Sequence, residues 1–259
     1  MQSEMFVIGD VQGQAFLLKR LLQKAGLMSV LGTRLRPEVM VLQLGDLGHF
    51  ARYRMGTQLM TPEDDAECFR LLEIGILDQM LWGNHERPMM RHLRREQIFG
   101  GYVAPDLAFI EKIEAWRQNG KITLAFANGD WLFTHAGLHA AWGQCHDLTD
   151  ASAIAEALNN HDRWLFDHYE ADEKRGLDVS AFVDTIGVDR GGYNDWGGIL
   201  WRDAEEALFE AENLRQVFGH TASREVQKGH SYCLDISKND SIAGLWLPSE
   251  EILTVSLDG

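Results

Sequence analysis

The chain has 259 residues, 45% of them hydrophobic and 24% charged, which is enough to bury one large core or a core with an inserted cap. Its formal net charge of −15 argues against nonspecific binding to nucleic acid or to an anionic membrane, because long-range repulsion would oppose both. Its three cysteines lie far apart without a CxxC pair, which argues against a disulfide framework and a structural zinc site.

The N-terminus passes from the short polar segment 1–4 directly into an apolar run at 5–9. It lacks the basic segment and apolar stretch of a leader, and the chain has no run of about 18 apolar residues that could span a bilayer. We therefore expect a cytoplasmic protein without a membrane partner.

Short apolar runs alternate with helical patterns through the first part of the chain. The run 5–9 precedes apolar residues at helical spacing over 16–25, and the run 39–45 precedes a helix that opens at Thr61 and Pro62. Thr and Pro are typical of a helix N-cap and first turn, respectively. This alternation predicts a layered α/β domain in which the run 39–45 is a buried parallel strand.

The later part of the chain has a less regular pattern. Apolar residues between 154 and 166 predict one or two helices, and the glycine-rich stretch 190–198 predicts a loop that returns to the core. We interpret residues 138–200, approximately, as a helical cap inserted in a single domain that spans 1–259. The segments 232–236 and 252–256 are predicted terminal strands that extend a second sheet.

Oxygen ligands for metals follow three of the predicted strands at glycine turns. Asp10, Asp46 and Asn84 each come directly after an apolar run that ends in Gly. Carboxylate and amide oxygens suit divalent metals, and open sheets place their sites at the ends of strands. We expect Asp10 to bind a first metal, Asn84 a second, and Asp46 to bridge the pair as a two-metal phosphoesterase requires.

Two histidines follow later apolar runs. His135 comes after 131–134 and His220 after 217–219. A lone histidine is more often a core or surface residue than a ligand, but a position after an apolar strand, with glycine nearby, favours metal binding. Both imidazoles would complete the ligand set of the second metal.

His85 is the candidate general acid. It adjoins Asn84, and a turn that points consecutive side chains apart would leave its ring available for proton chemistry rather than for the same metal. A protonated imidazole beside the ester oxygen would stabilise the departing alkoxide. The alternative is that His85 only orients a metal ligand.

Five motifs occur in a fixed order over residues 9–221. They read GDVQG, GD, GNHE, HAG and GHT, beginning at Gly9, Gly45, Gly83, His135 and Gly219. In this order they resemble the calcineurin-like metallophosphoesterases, specifically the phosphoprotein phosphatase branch with its bacterial and phage members.

The resemblance implies a four-layer α/β/β/α sandwich and a dinuclear site. By matching position, the ligands implied are Asp10, residue 12, Asp46, Asn84, His135 and His220, with His85 as the acid. We expect two divalent metals, with Mn²⁺ first and iron, zinc and nickel as alternatives.

The first departure from the family pattern is Gln12, where the family usually has His. A glutamine carbonyl can bind a divalent metal but is a weaker donor than imidazole, so the first metal should bind less tightly or be a harder ion such as Mn²⁺. Some diadenosine-tetraphosphate hydrolases of the same branch also carry Gln at this position.

The second departure is the family segment GD-x-x-D-R, whose last two residues here are His49 and Phe50. The acidic partner of the catalytic histidine and a phosphate-binding arginine are thus both replaced. Arg202 is the first candidate to bind phosphate instead, because 199–203 is similar to the family segment with a second such arginine, and guanidinium groups bind phosphate bidentately. Arg87 and Arg190 are further candidates.

Three functions follow as hypotheses. The first is a phosphomonoesterase of the protein serine/threonine phosphatase type, with a metal-bridging hydroxide as nucleophile and a phosphoprotein as substrate. The second is a dinucleoside polyphosphate hydrolase, which Gln12 and the missing Asp-Arg pair favour and whose substrate is a nucleotide. The third is a metal-stabilised binding protein that has lost catalysis.

Overall fold

The structure is a computed structural model, and it describes residues 4–49, 54–55, 58–59, 61–87, 107–138, 150–175, 183, 186–191, 197–204, 214–222, 227–236 and 241–257. The chain divides into two compact units. Unit 1 comprises Met1–Thr123, Ala222–Arg224 and Leu234–Gly259, and unit 2 comprises Leu124–Thr221 and Glu225–Cys233. Within the described ranges, no helix combines the length and the apolar character needed to cross a bilayer.

The described elements alternate between strands and helices through most of the chain. In chain order they are β1 (Met5–Ile8), α1 (Ala15–Lys24), β2 (Met40–Gln43), β3 (Arg54–Met55), β4 (Gln58–Leu59), α2 (Pro62–Glu73), β5 (Gln79–Leu81), α3 (Leu107–Gln118), β6 (Ile122–Thr123), β7 (Ala125–Asn128), β8 (Trp131–Thr134), α4 (Ala151–Arg175), a 3-10 helix (Val188–Arg190), β9 (Arg215–Phe218), β10 (Gln227–Lys228), β11 (Ser231–Cys233), β12 (Ser241–Leu247) and β13 (Ile252–Ser256).

Unit 1 contains a sheet with the strand order β13-β12-β1-β2-β5-β6. In this sheet, β1, β2, β5 and β6 are parallel to one another. Strand β12 pairs antiparallel with β1, and β13 pairs antiparallel with β12. All four residues of β1 are buried, as are the last three of β2. The predicted buried parallel strand within 39–45 is therefore confirmed.

Helix α1 overlaps the predicted helical spacing over 16–25, and helix α2 begins at the predicted Thr61 and Pro62. Gly26, at φ +70°, follows the end of α1. At the start of α2, Thr61 and Asp64 form a capping box and Pro62 occupies the first turn. Helix α1 packs against β12 and β13, and Phe69 of α2 makes an edge-on contact with Phe109 of α3 at 5.0 Å between ring centroids.

Unit 2 contains a second sheet with the order β10-β11-β9-β8-β7. Strands β8, β9 and β11 are parallel, and β7 and β10 are antiparallel additions. Helix α4, which fulfils the prediction of helix over 154–166, packs against β7 and β8. The side-chain amide of Asn159 fixes it there, because its Oδ1 accepts from the N–H groups of Leu124 and Ala125, both at 3.0 Å.

One predicted strand belongs to a different sheet from the one expected. Strand β11, which covers only the start of the predicted segment 232–236, lies in the second sheet as predicted. In contrast, Ile252–Ser256 lies in the sheet of unit 1, where it pairs with β12. The reason is that β12 pairs with β1, and a short connection after Leu247 can place the next strand only beside β12.

The mixed α/β class predicted from the sequence is confirmed, with one sheet and its helices in each unit. The inserted cap over residues 138–200 stays a prediction. The glycine-rich residues 192–196 of that segment lie outside the described residues.

Candidate active site

Three loops of unit 1 carry the predicted oxygen donors. They follow β1, β2 and β5, which are adjacent parallel strands, so the loops leave the sheet at the same edge. Asp10, Asp46 and Asn84 lie on these loops with 1%, 1% and 4% of their surface exposed. The structure therefore brings the loops of these three predicted ligands to one edge of the sheet and buries the side chains.

The first two loops are joined by main-chain hydrogen bonds. The N–H groups of Val11 and Gln12 donate to the carbonyl of Asp46 at 3.0 and 2.7 Å, and that of Gly13 donates to the carbonyl of Leu47 at 2.9 Å. Gln12 and Asp46 both have left-handed backbone conformations, at φ +49° and +54°. Non-glycine residues rarely adopt this conformation, and it recurs at functional sites where the surroundings enforce it.

Glu86 connects the second loop to the third. Its carboxylate is fully buried and accepts hydrogen bonds from the N–H groups of Asp46 at 2.9 Å, Gly48 at 3.0 Å and Gly83 at 3.2 Å. The backbone of Gly83 lies so close to Asp46 that a Cβ on Gly83 would overlap the backbone nitrogen and Oδ1 of Asp46. Burial, and after it the neighbouring Asp46 carboxylate, raise the pKa of Glu86 above its usual range.

The predicted general acid, His85, is anchored to Asp46. Its N–H donates to Oδ1 of Asp46 at 3.0 Å, and its Nε2 lies 3.7 Å from Oδ2 of the same carboxylate. Its Nδ1 lies 3.2 Å from the carbonyl oxygen of His49, and this contact favours the tautomer with the proton on Nδ1. Burial lowers the pKa of His85, while Glu86 and the His49 carbonyl oppose that shift.

His49 stands where the family has the acidic partner of this histidine, and its ring lies 4.6 Å from that of His85 between centroids. Burial, followed by the charge of His85, lowers the pKa of His49 to about 4, so its ring is neutral near pH 7. Its own N–H donates to Oδ1 of Asp65 at 2.8 Å. The group of residue 49 that contacts Nδ1 of His85 is therefore a neutral main-chain carbonyl rather than a carboxylate. Phe50, the other substituted position, lies outside the described residues.

The two predicted histidine ligands lie together in unit 2. They follow the neighbouring parallel strands β8 and β9, and the N–H of Gly219 donates to the carbonyl of His135 at 2.7 Å. The rings of His135 and His220 are 5.0 Å apart at 62°, their candidate ligand nitrogens lie within 4.8 Å of each other, and both residues are buried. Two buried imidazoles at this separation fit a shared divalent cation.

The loop that carries His220 is held on several sides. His220 has φ +69°, and its carbonyl accepts a hydrogen bond from Arg190 at 3.3 Å. The same guanidinium group contacts Oγ1 of Thr221 and lies 3.3 Å from Asp203. The thiol of Cys233 donates to the carbonyl of Thr221 at 3.3 Å. Arg190, a predicted substrate residue, thus contacts the loop of a predicted metal ligand.

The other two candidate arginines are buried. In unit 2, Nε and Nη2 of Arg202 both donate to the carbonyl of Gly197, at 3.1 and 2.8 Å. In unit 1, Arg87 lies 5.8 Å from the centre of the Trp82 ring. Only 3% of Arg202 and 8% of Arg87 are exposed.

Two residues that support the site were not predicted, Glu86 and Gln43. The side-chain amide of Gln43 bonds the loops that carry Asp10 and Asp46. The sequence signal for Glu86 is its place in GNHE, and for Gln43 it is a polar residue inside an apolar strand. The donors on both units, which are carboxylates, amides and imidazoles, fit divalent metals of hard to borderline character.

Comparisons with known proteins agree with this chemistry. A sequence model described as calcineurin-like phosphoesterase matches residues 5–224. The symmetrical bis(5'-nucleosyl)-tetraphosphatase of Mannheimia succiniciproducens is 24% identical over 163 residues, which are 60% of this chain and 50% of that protein. The chain therefore spans about half the length of this curated relative.

Two solved structures resemble the fold. The cold-active protein-tyrosine phosphatase of a psychrophilic Shewanella species matches with a TM-score of 0.63 at 19% identity, covering 98% of this chain and 78% of that one. A protein provisionally named a diadenosine tetraphosphatase matches with a TM-score of 0.52 at 16% identity, covering 100% and 96%. At such identities the likeness concerns the fold alone.

Proposed function

The chain belongs to the calcineurin-like phosphoesterase family, and from this premise we propose that it is a phosphomonoesterase of the protein serine/threonine phosphatase type. The observation that carries the proposal is the environment of Asp46. Its main chain is bonded to the loops after β1 and β5, and its carboxylate accepts from the N–H of His85. A carboxylate held this way, next to a histidine, suits a bridging ligand beside a proton donor.

The donors fall into two sets in this proposal. The first metal would be held by Asp10, Gln12 and Asp46, and the second by Asp46, Asn84, His135 and His220. When bound, two divalent cations neutralise charge on the phosphate oxygens and acidify a water molecule. The predominance of oxygen donors in the first set favours Mn²⁺ there.

His85 would pass a proton to the leaving oxygen. Because its Nδ1 faces the His49 carbonyl, Nε2 is the nitrogen suited to this transfer. The N–H bond from His85 to Asp46 fixes the backbone of the acid relative to the proposed bridging carboxylate. Proton donation and metal binding would then belong to neighbouring groups.

Arg202 would bind the phosphate group, with Arg87 and Arg190 as further candidates. We expect Arg202→Lys to lower kcat/KM on the order of 10- to 100-fold. The lysine ammonium keeps the positive charge but cannot donate two parallel hydrogen bonds to one phosphate group, as a guanidinium does. Steady-state kinetics on an aryl phosphate measure this. Arg117→Lys, on α3 and paired with Glu114, is the matched control. Equal kinetics in both variants would remove Arg202 from the phosphate site.

A second candidate function, hydrolysis of dinucleoside polyphosphates, is favoured by three observations. Gln12 replaces the usual histidine, the Asp-Arg pair is missing, and the curated relative is named for this activity. The neutral carbonyl beside His85 also fits, since a phosphate leaving group needs less help from a proton donor than an alkoxide does.

A substrate panel separates these functions. Purified protein with Mn²⁺ is assayed on an aryl phosphate, a phosphoserine peptide, a phosphothreonine peptide and diadenosine tetraphosphate. The proposal expects cleavage of the aryl phosphate and of at least one peptide. Cleavage of diadenosine tetraphosphate with both peptides untouched would replace it with the second candidate. If no compound is cleaved with Mn²⁺, Ni²⁺, Zn²⁺ or Fe²⁺, the binding-protein hypothesis is favoured.

A further inference from the structure

Gln43 is a polar residue in the interior of the sheet of unit 1. It is the last residue of β2, in register with Ile8 of β1 and Met80 of β5, and none of its surface is exposed. Burying an amide is unfavourable unless its donors and acceptor are bonded. An apolar residue would serve the core better, so the bonds of this amide indicate why glutamine is present.

The amide of Gln43 bonds two ligand loops at the residue before each carboxylate. Its Nε2 donates to the carbonyl of Gly45 at 2.6 Å and to that of Gly9 at 3.2 Å, while its Oε1 accepts from the N–H of Gly45 at 2.8 Å. Gly9 precedes Asp10, and Gly45 precedes Asp46. One side chain thus fixes both backbone groups of Gly45 and joins them to the first loop.

The segment that Gln43 holds leads into a residue with an unfavourable backbone conformation, Asp46. Gly45 has φ +100° and Asp46 has φ +54°, so two consecutive residues lie at positive φ. Such a segment keeps its shape only when surrounding groups enforce it. The main chain of Asp46 is held by Glu86, which accepts its N–H, and by the first loop, whose N–H groups donate to its carbonyl. The main chain of Gly45, the preceding residue, is held by the amide of Gln43.

We propose that Gln43 is a positioning residue that sets the separation of the Asp10 and Asp46 loops and thereby the affinity of the metal site. The proposal rests on the metal site described under the proposed function. Gln43 is fully buried, and its amide bonds main-chain groups next to the two carboxylates, so its proposed action on the metals passes through the backbone.

Two substitutions separate the bonds of Gln43 from its volume. Gln43→Met keeps the length of the side chain and removes all three bonds. Gln43→Glu keeps the shape but places an acceptor oxygen against the carbonyls of Gly9 and Gly45, so repulsion replaces two bonds. Asn159→Leu is the control, because the Asn159 amide also makes three main-chain bonds, to Leu124 and Ala125, in unit 2.

The test is calorimetric titration of the chelator-treated protein with Mn²⁺, together with its thermal unfolding without metal. We expect Gln43→Met and Gln43→Glu to weaken Mn²⁺ binding roughly 10- to 100-fold, as loss of a residue supporting a ligand does. Asn159→Leu should lower the unfolding temperature and leave Mn²⁺ affinity unchanged. Unchanged affinity in the Gln43 variants, or an equal loss in all three, would overturn the proposal.

Hydrogen exchange of the unsubstituted protein covers the case in which the Gln43 variants do not fold. The Gly45 N–H should be strongly protected in the metal-free protein, because Gln43 accepts it in the core. Rapid exchange of the Gly45 N–H would overturn the proposed positioning role of Gln43. If the unsubstituted protein itself binds no Mn²⁺, the proposed metal site fails together with the inference, whereas a defect confined to the variants concerns Gln43 alone.

Discussion

Replacing His85 with Ala is expected to lower kcat by roughly 10²–10⁴-fold, the usual contribution of a positioned general acid. The imidazole would be lost from its place between the His49 carbonyl and the Asp46 carboxylate. The main-chain N–H that bonds Oδ1 of Asp46 remains in the variant. Turnover should therefore fall while Mn²⁺ binding is kept, and kinetics combined with Mn²⁺ titration measure both.

The leaving group provides a second measurement on the same variant. When its P–O bond breaks, an alkyl phosphate such as phosphoserine expels a strongly basic alkoxide, whereas an aryl phosphate expels a phenolate whose conjugate acid has a pKa of about 10. Loss of a proton donor should thus reduce turnover of the alkyl ester more than that of the aryl ester. His230→Ala, at an exposed turn, is the control histidine.

Two results would contradict the assignment. Unchanged turnover in His85→Ala would favour the binding-protein hypothesis. A parallel loss of turnover and Mn²⁺ affinity would instead favour the alternative in which His85 orients a metal ligand.

The sequence predicts where the candidate ligands of each unit lie, because their positions depend on local patterns. An apolar run of strand length, a glycine and a donor residue are contiguous in the chain, and the parallel pairing of β1, β2 and β5 then brings the loops with Asp10, Asp46 and Asn84 to one edge. The same holds in unit 2 for His135 and His220, which follow the paired strands β8 and β9.

The supporting residues could not be predicted in the same way. Glu86 accepts from N–H groups about forty positions earlier, and Gln43 donates to Gly9 across the sheet. These partners are main-chain atoms, which leave no signature in residue type. The sheet to which 252–256 belongs could not be predicted for a similar reason. It depends on the pairing of β12 with β1, which lies at the other end of the chain.

His49 shows a further limit of motif comparison. The residue type predicts loss of the acidic partner of His85, and the side chain does carry no charge near neutral pH. The main chain at this position nevertheless keeps a hydrogen-bonding group 3.2 Å from Nδ1. The substitution therefore changes the charge beside the acid more than it changes the orientation of the ring.

Asp46→Asn is expected to have the largest effect on metal binding. The asparagine keeps the size of the side chain and an oxygen for the His85 N–H, but it removes the negative charge that two neighbouring cations would share. We expect Mn²⁺ affinity to fall by more than the roughly 10- to 100-fold that follows loss of a residue merely supporting a ligand. Turnover should fall at least as far as in His85→Ala, because one of the two cations is expected to be lost with the charge.

Metal stoichiometry after dialysis against Mn²⁺ distinguishes the bridging role from a general effect of a buried carboxylate. Asp65→Asn is the matched control, since Asp65 is also buried and accepts a main-chain N–H, that of His49, but is not a proposed ligand. The control should bind two Mn²⁺ ions, and Asp46→Asn at most one. If Asp46→Asn still binds two, each cation is held by its remaining donors, and Asp46 would act in positioning His85 rather than in joining the metals.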